Sequence, residues 1–268
     1  MTTNVCVVGA TGKFGRAIIA QSSTDIRITG AVCNDSNSLV GKPLNQIGGE
    51  KSDTIITAIS QLEKAVDASD VVLFVSKPDA DLTNIPKVIG LRKRVVVGTT
   101  GFTEPQMNQL NLFLQEVPSI LASNFSVGAN LLFKITQLLS GFGNIYDYSI
   151  VENHHKMKAD APSGTAKTML QLLNQNHQFS GTVTDRIAKP KRMPGEIEMV
   201  SLRGGGTPGI HQLILSGEHD MINVQHISFS NSAAAKGAIL ACRWIASKNE
   251  PGIYSMQDVL GSVTTINE

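Results

Sequence analysis

At 268 residues, with 41% hydrophobic and 17% charged side chains, the chain is long enough for one large domain or two modest ones with proper apolar cores. Its 23 basic and 22 acidic residues leave a formal net charge of +1. That balance lacks the basic excess with which a nucleic-acid binder neutralises phosphates, so any anion site must be local. Cys6, Cys33 and Cys242 form no CxxC pair and leave one thiol unmatched in any disulfide scheme. No stretch approaches the roughly 18 apolar residues of a membrane span, and no signal pattern opens the chain, so a reducing, cytoplasmic setting is expected.

In chain order, residues 4–8 form an apolar run broken by Gly9, and residues 13–21 then place apolar side chains at helical spacing, giving strand, tight turn and helix. Residues 26–33 are β-rich and end in the polar Asn34, Asp35, Ser36 and Asn37, completing a βαβ unit within about 35 residues. Residues 71–75 and 94–97 are apolar on both faces, as buried parallel strands require. The first runs into Ser76, Lys77, Pro78 and Asp79, the second into Gly98, Thr99, Thr100, Gly101 and Phe102. A fifth strand at 120–122 exits through Ser123, Asn124, Phe125 and Ser126. These polar exits are expected at the carboxyl edge of one sheet, where open α/β sheets bind ligands.

Beyond about residue 125 the pattern changes. Residues 127–139 read as an apolar helix, 146–152 as a strand and 162–173 as a helix entered through Pro162 and Ser163. From 197 to 229, β-segments punctuated by Gly204, Gly205, Gly206, Pro208, Gly209 and Gly217 read as antiparallel hairpins. The alanine-rich helix at 233–247 is expected to pack back on the first domain. The expected architecture is an α/β Rossmann-type domain over 1–125, completed by 232–268, and an α+β domain over 126–231 with a mixed or antiparallel sheet.

Gly9, Ala10, Thr11, Gly12, Lys13, Phe14 and Gly15 spell GxxGxxG between a strand and a helix. Such glycines let backbone approach a pyrophosphate, and the βαβ context favours dinucleotide binding over a bare tight turn. Asp35 lies where an acid accepts hydrogen bonds from the adenosine ribose, which favours NADH; Lys13 could attract a 2′-phosphate, and the preference stays open between NADH and NADPH. The segment 152–165 concentrates His154, His155, Lys156 and Lys158 ahead of a helix beginning at Ser163, Gly164 and Thr165. Imidazole donates protons near neutral pH and lysine brings fixed positive charge, so these groups suit an anion to be protonated. Adjacent histidines on an extended segment point apart and no further His or Cys stands at a ligand spacing, so no metal is expected.

These pieces, with Asn124-Phe125-Ser126-Val127-Gly128, Arg203-Gly204, Gly209-Ile210-His211 and Gly217-Glu218 before His226, occur in the order seen in one family. The sequence resembles the 4-hydroxy-tetrahydrodipicolinate reductases along nearly its whole length, most specifically from Glu152 to Thr165. The resemblance implies a Rossmann domain and a substrate domain that assembles a homotetramer. It also implies hydride transfer from NADH or NADPH to a cyclic dicarboxylate on the route to diaminopimelate and lysine. It makes His154 the proton donor, Lys158 the second catalytic residue, and His155, Ser163, Gly164 and Thr165 substrate contacts. Gly9, Ala10, Thr11, Gly12, Lys13, Phe14, Gly98, Thr99, Thr100, Ala122, Ser123, Asn124 and Phe125 become nucleotide contacts, with Asn34 and Asp35 at the ribose. Two positions depart from the family pattern. Asp35 stands where some members carry an arginine that favours NADPH, and Asn231 where many carry arginine. An aspartate-semialdehyde or homoserine type dehydrogenase shares the two-domain plan, but the former needs a loop thiol, whereas Cys6 is expected in a strand and Cys242 in a helix. A non-catalytic nucleotide sensor would bind NADH without turnover, which His154 and Lys158 argue against.

Overall fold

A computed structural model describes residues 2–23, 25–48, 54–176, 179–187 and 191–264. It divides into two compact units, Met1–Ser126 with Asn231–Glu268, and Val127–Ser230.

In the first unit the chain runs β1 (Thr3–Val8), α1 (Lys13–Ile19), β2 (Ile26–Cys33), β3 (Ile56–Ala58), α2 (Leu62–Val66), β4 (Val71–Phe74), α3 (Pro78–Gly90), β5 (Arg94–Val97), α4 (Glu104–Leu114) and β6 (Pro118–Leu121). Among the described residues these strands, with the later β12 (Gly252–Tyr254), form one sheet in the order β12-β6-β5-β4-β1-β2-β3, every pairing parallel. Alternation along the strands feeds two apolar layers. Val5, Val7, Leu73 and Val96 pack with Ile18 and Ile19 of α1 on one face. Cys6, Val8, Val72, Phe74, Val95 and Val97 pack with Leu62, Val88 and Leu110 of α2, α3 and α4 on the other. Each large side chain so buried contributes about 1.5–3 kcal/mol.

Two glycines shape the first turn. Gly9 has φ 92°, and a β-carbon there would stand 2.5 Å from the Val75 carbonyl oxygen; one on Gly15 would stand 2.3 Å from the Gly9 oxygen. Both positions therefore exclude a side chain, and the turn closes tightly between the strand and the helix.

The second unit contains α5 (Val127–Leu139), β7 (Asp147–His154), α6 (Gly164–Asn176), β8 (Gly181–Val183), β9 (Glu196–Arg203), β10 (Gly209–Ser216) and β11 (Met221–Ser228). Its sheet, among the described residues, has the order β11-β10-β7-β9-β8. Tyr148, Ile150, Ile197, Met199, Leu213 and Leu215 form its inner face against Leu132 and Phe133 of α5 and Ala166, Met169 and Leu173 of α6. The sequence expectation of successive antiparallel hairpins is corrected here. β10 and β11 do form a hairpin, but β9 and β10 lie on opposite sides of β7, β9 parallel to it and β10 antiparallel. The glycine-rich segment at 204–206 is thus no hairpin turn. It crosses the end of β7, where the Gly204 amide donates to the His154 carbonyl at 2.9 Å and the Lys156 amide to the Gly205 carbonyl at 3.2 Å.

The chain then returns to the first unit through α7 (Asn231–Ala246), β12 (Gly252–Tyr254) and α8 (Met256–Thr264). Ala235, Ala238, Ala241, Cys242 and Ile245 of α7 join the layer that holds α1.

Candidate active site

The inward face of β7 reads Tyr148, Ile150, Glu152, His154. With a period of two, the first two belong to the core, and the same face then presents a carboxylate and an imidazole side by side. Glu152 is fully buried, and its Oε2 lies against Nδ1 of His154. Its Oε1 accepts from Nη2 of Arg203 at 2.9 Å and from the Ser163 amide at 3.3 Å. Sheet register explains the company: Arg203 of β9 pairs with His154, and His211 of β10 pairs with Glu152. The His154 and His211 rings meet edge to face, centroids 5.0 Å apart.

Burial opposes ionisation of Glu152, yet the Arg203 guanidinium, the Ser201 hydroxyl and His154 outweigh it and hold the carboxyl below its usual range. Burial depresses the His154 pKa against the pull of Glu152, with Lys158 and Arg203 acting in the same direction as burial. His211 is pushed down to about 4, first by burial and then by His154, against the opposing pull of Glu152. Buried and neutral, it meets the Ser163 hydroxyl through Nε2 at 3.1 Å. Donor atoms of Glu152, His154 and His211 lie within 4.8 Å of one another, a spacing open to a metal ion. Chain spacing hid this third imidazole. The carboxylate already holds Arg203, and Arg203 and Lys158 place positive charge beside His154, so the electrostatics suit an anion rather than a dication.

Lys158 follows a turn in which its amide donates to the His155 carbonyl at 3.1 Å, and its ammonium pairs with Asp160 at 2.7 Å. The Asp160 carbonyl in turn accepts from Arg203 at 2.6 Å, which ties this loop to β9. His155 is half-buried. Ser163 is buried and caps α6, its Oγ accepting from the Ala166 amide at 3.3 Å, while Gly164 at the helix start is exposed and Thr165 is buried. The Ser163 hydroxyl is thus committed to the cap and to His211. Sequence reasoning gave no role to Glu152, Arg203 or His211; the signal for Glu152 was an acid in the inward register of an apolar strand.

The residues expected from the sequence to meet a nucleotide lie at carboxyl ends of the first unit's sheet. Gly9 and Ala10 donate their amides to the Val32 carbonyl at 2.9 and 3.0 Å, locking the turn to β2. Ala10 and Phe125 are core side chains, Phe14 packs against that core, and Gly12 and Lys13 are exposed. Thr11 accepts from Asn37 at 3.2 Å, a link from the β2 exit that sequence reasoning left unassigned. Asn34 receives the Ser36 amide and hydroxyl, whereas Asp35 is exposed and accepts from the Ser60 amide at 3.0 Å, bonds that hold its carboxyl below the usual range. Thr99, between Gly98 and the exposed Thr100, accepts from the Ser76 amide at 2.9 Å, and the Ser76 hydroxyl donates to the fully buried Asp81. Ala122, Ser123 and Asn124 follow β6, with the Asn124 side chain accepting from the Ser126 amide at 2.9 Å. A tight glycine turn between β1 and β4, where strand order reverses, fits a dinucleotide.

Residues 3–125 match the family pattern described as dihydrodipicolinate reductase, N-terminus, and residues 128–260 that described as dihydrodipicolinate reductase, C-terminus. The 4-hydroxy-tetrahydrodipicolinate reductase of Aquifex aeolicus (strain VF5) is 34% identical over 266 residues, covering 97% of this chain and 100% of the relative. That of Syntrophotalea carbinolica is 34% identical over 265 residues, covering 96% and 98%. A solved structure, dipicolinate-bound dihydrodipicolinate reductase from Paenisporosarcina sp. TG-14, shares the fold with TM-score 0.71 at 24% identity, covering 95% of this chain and 98% of that one. With both halves matched in order and the imidazole, lysine and glycine-turn residues in place, the chain belongs to the dihydrodipicolinate reductase family.

Proposed function

We propose that this protein reduces 4-hydroxy-tetrahydrodipicolinate to tetrahydrodipicolinate with NADH or NADPH, in diaminopimelate and lysine biosynthesis. The observation that carries the reading is the Glu152–His154–Arg203 cluster at the end of β7, beside a loop that brings Lys158. Bound reduced nicotinamide supplies the hydride. His154 gives the proton as general acid, a contribution of about 10²–10⁴ in rate, and Lys158 stabilises negative charge developing on the conjugated ring. His155, Gly164 and Thr165 bind the substrate carboxylates, with Ser163 holding the start of α6 in place. A dianion arriving among these cations raises the His154 pKa that burial has depressed, so the acid gains its proton as substrate binds.

In the first unit, Gly9, Ala10, Thr11, Gly12, Lys13 and Phe14 cradle the pyrophosphate. Asn34 and Asp35 meet the ribose, and Gly98, Thr99, Thr100, Ala122, Ser123, Asn124 and Phe125 frame the nicotinamide side. The ionised Asp35 favours NADH over NADPH. Assembly as a homotetramer is supported by the edge position of β11 and the exposure of Met221, Ile222 and Ile227 along it. No helix among the described residues is long and apolar enough to cross a membrane, and all three cysteines are unpaired, which supports work in the reducing cytoplasm.

The aspartate-semialdehyde dehydrogenase alternative loses its nucleophile. Cys6 and Cys242 are fully buried in β1 and α7 with thiols pushed up to about 12, and Cys33 is also buried. The test is oxidation of NADH and NADPH by the purified chain, with substrate freshly generated from pyruvate and aspartate semialdehyde. Turnover that requires the cyclic product is expected. Reduction of NAD⁺ or NADP⁺ by aspartate semialdehyde and phosphate alone would overturn the assignment.

A further inference from the structure

We propose that Glu152 is a positioning residue of the reduction: by accepting the Nδ1 proton of His154 it fixes the imidazole and leaves Nε2 as the nitrogen that delivers the proton. The inference rests on His154 being the acid of the proposed reaction.

Geometry carries it. Glu152 and His154 sit two residues apart on one strand face, so their side chains lie in contact without any bend in the backbone. Glu152 cannot swing away. Its other oxygen is held by Arg203 and the Ser163 amide, and the residue has no exposed surface. A fully buried carboxylate is costly unless it is compensated by charge, and here one oxygen lies against the imidazole Nδ1 while the other accepts from a guanidinium. Nε2 has no hydrogen-bond partner among the described residues. It passes Gly209, on which a β-carbon would stand only 3.3 Å away.

In the step itself, the imidazolium Nε2–H bond breaks and its proton forms a C–H bond on the ring made anionic by hydride addition. The N–H electron pair stays on Nε2. Nδ1 keeps its proton, hydrogen-bonded to Glu152, so the ring ends as the neutral Nδ1–H tautomer with Nε2 ready for reprotonation. The ionisable groups facing His154 are Glu152 on its own strand, Arg203 on β9, His211 on β10, and Lys158 with Asp160 from the loop after β7. Glu152 is the one that favours the imidazolium; Lys158 and Arg203 oppose it.

The test compares full-length wild type, Glu152→Gln and Glu152→Asp in steady-state kinetics across pH, with nitrogen NMR of the His154 ring. Glutamine keeps the shape and removes the charge. Its kcat should fall about tenfold or more, with KM for the nucleotide unchanged. The high-pH limb of its kcat profile should move about one unit lower, since the charge that stabilises the imidazolium is gone. Glu152→Asp should restore the position of that limb. If Glu152→Gln fails to fold, wild-type NMR decides: neutral His154 protonated on Nδ1 upholds the proposal, and on Nε2 overturns it. An unmoved limb in a folded Glu152→Gln would also overturn it. If His154→Gln itself turns over like wild type, the failure lies with the reaction assigned above; if only Glu152→Gln is silent, it lies with Glu152.

Discussion

Asp81 is a carboxylate with no exposed surface in the first turn of α3, accepting the Ser76 hydroxyl close to Thr99. Burial, only partly offset by the Ser76 and Thr99 hydroxyls, raises its pKa from 3.8 to about 6. Between those values the folded chain binds a proton that the unfolded chain has released, so this group's contribution to stability falls as pH rises through the window. Denaturant unfolding at pH 4 and pH 7 should therefore show the balance between wild type and Asp81→Asn shifting toward the variant at the higher pH. A difference that does not change with pH would mean that Asp81 is ionised throughout. Asp35 makes the opposite case, exposed and held ionised by Ser60. If it faces the ribose, Asp35→Asn should narrow the KM ratio of NADPH to NADH by about fivefold, the scale of one screened charge repulsion; an unchanged ratio places it elsewhere. At this scale the sequence was uneven. His154, His155 and Lys158 announce themselves by density, whereas Glu152 acts through a strand register that composition does not display, and His211 arrives from a strand far along the chain.

Element by element, the long apolar strands were legible because residues 71–74 and 94–97 are buried on both faces and read as continuous hydrophobic runs. Strands β3 and β12 have three residues each and gave no periodic signal. α3 carries Pro86 in its interior, which masks a helical pattern. The parallel partnership of β9 with β7 was not legible, because glycines between β9 and β10 mark a turn without saying whether the strands it joins are neighbours. Packing can be probed directly in α7, where a β-carbon on Gly237 would stand 1.8 Å from the Phe125 carbonyl oxygen. Gly237→Ala should lower unfolding free energy by about 1–3 kcal/mol, the range for overpacking, measured by urea titration. No loss would show that α7 shifts freely against the segment after β6.

On the scale of the whole molecule, the residues proposed to hold the nucleotide lie in the first unit, and the proposed acid, lysine and diacid contacts in the second. The Rossmann half could be read from order and spacing alone, while the second unit's chemistry depends on contacts between β7, β9 and β10 that only the fold brings together. If β11 is an assembly surface, light scattering on the purified protein should give the mass of four chains, and a monomer mass would contradict that reading. The general-acid role proposed for His154 is checked by measuring, in the same samples of wild type and His154→Gln, reduced-nucleotide binding by fluorescence and nucleotide oxidation with freshly generated substrate. Binding should be unchanged while turnover falls by about 10²–10⁴, the worth of a general acid. Turnover in His154→Gln equal to that of wild type would contradict it.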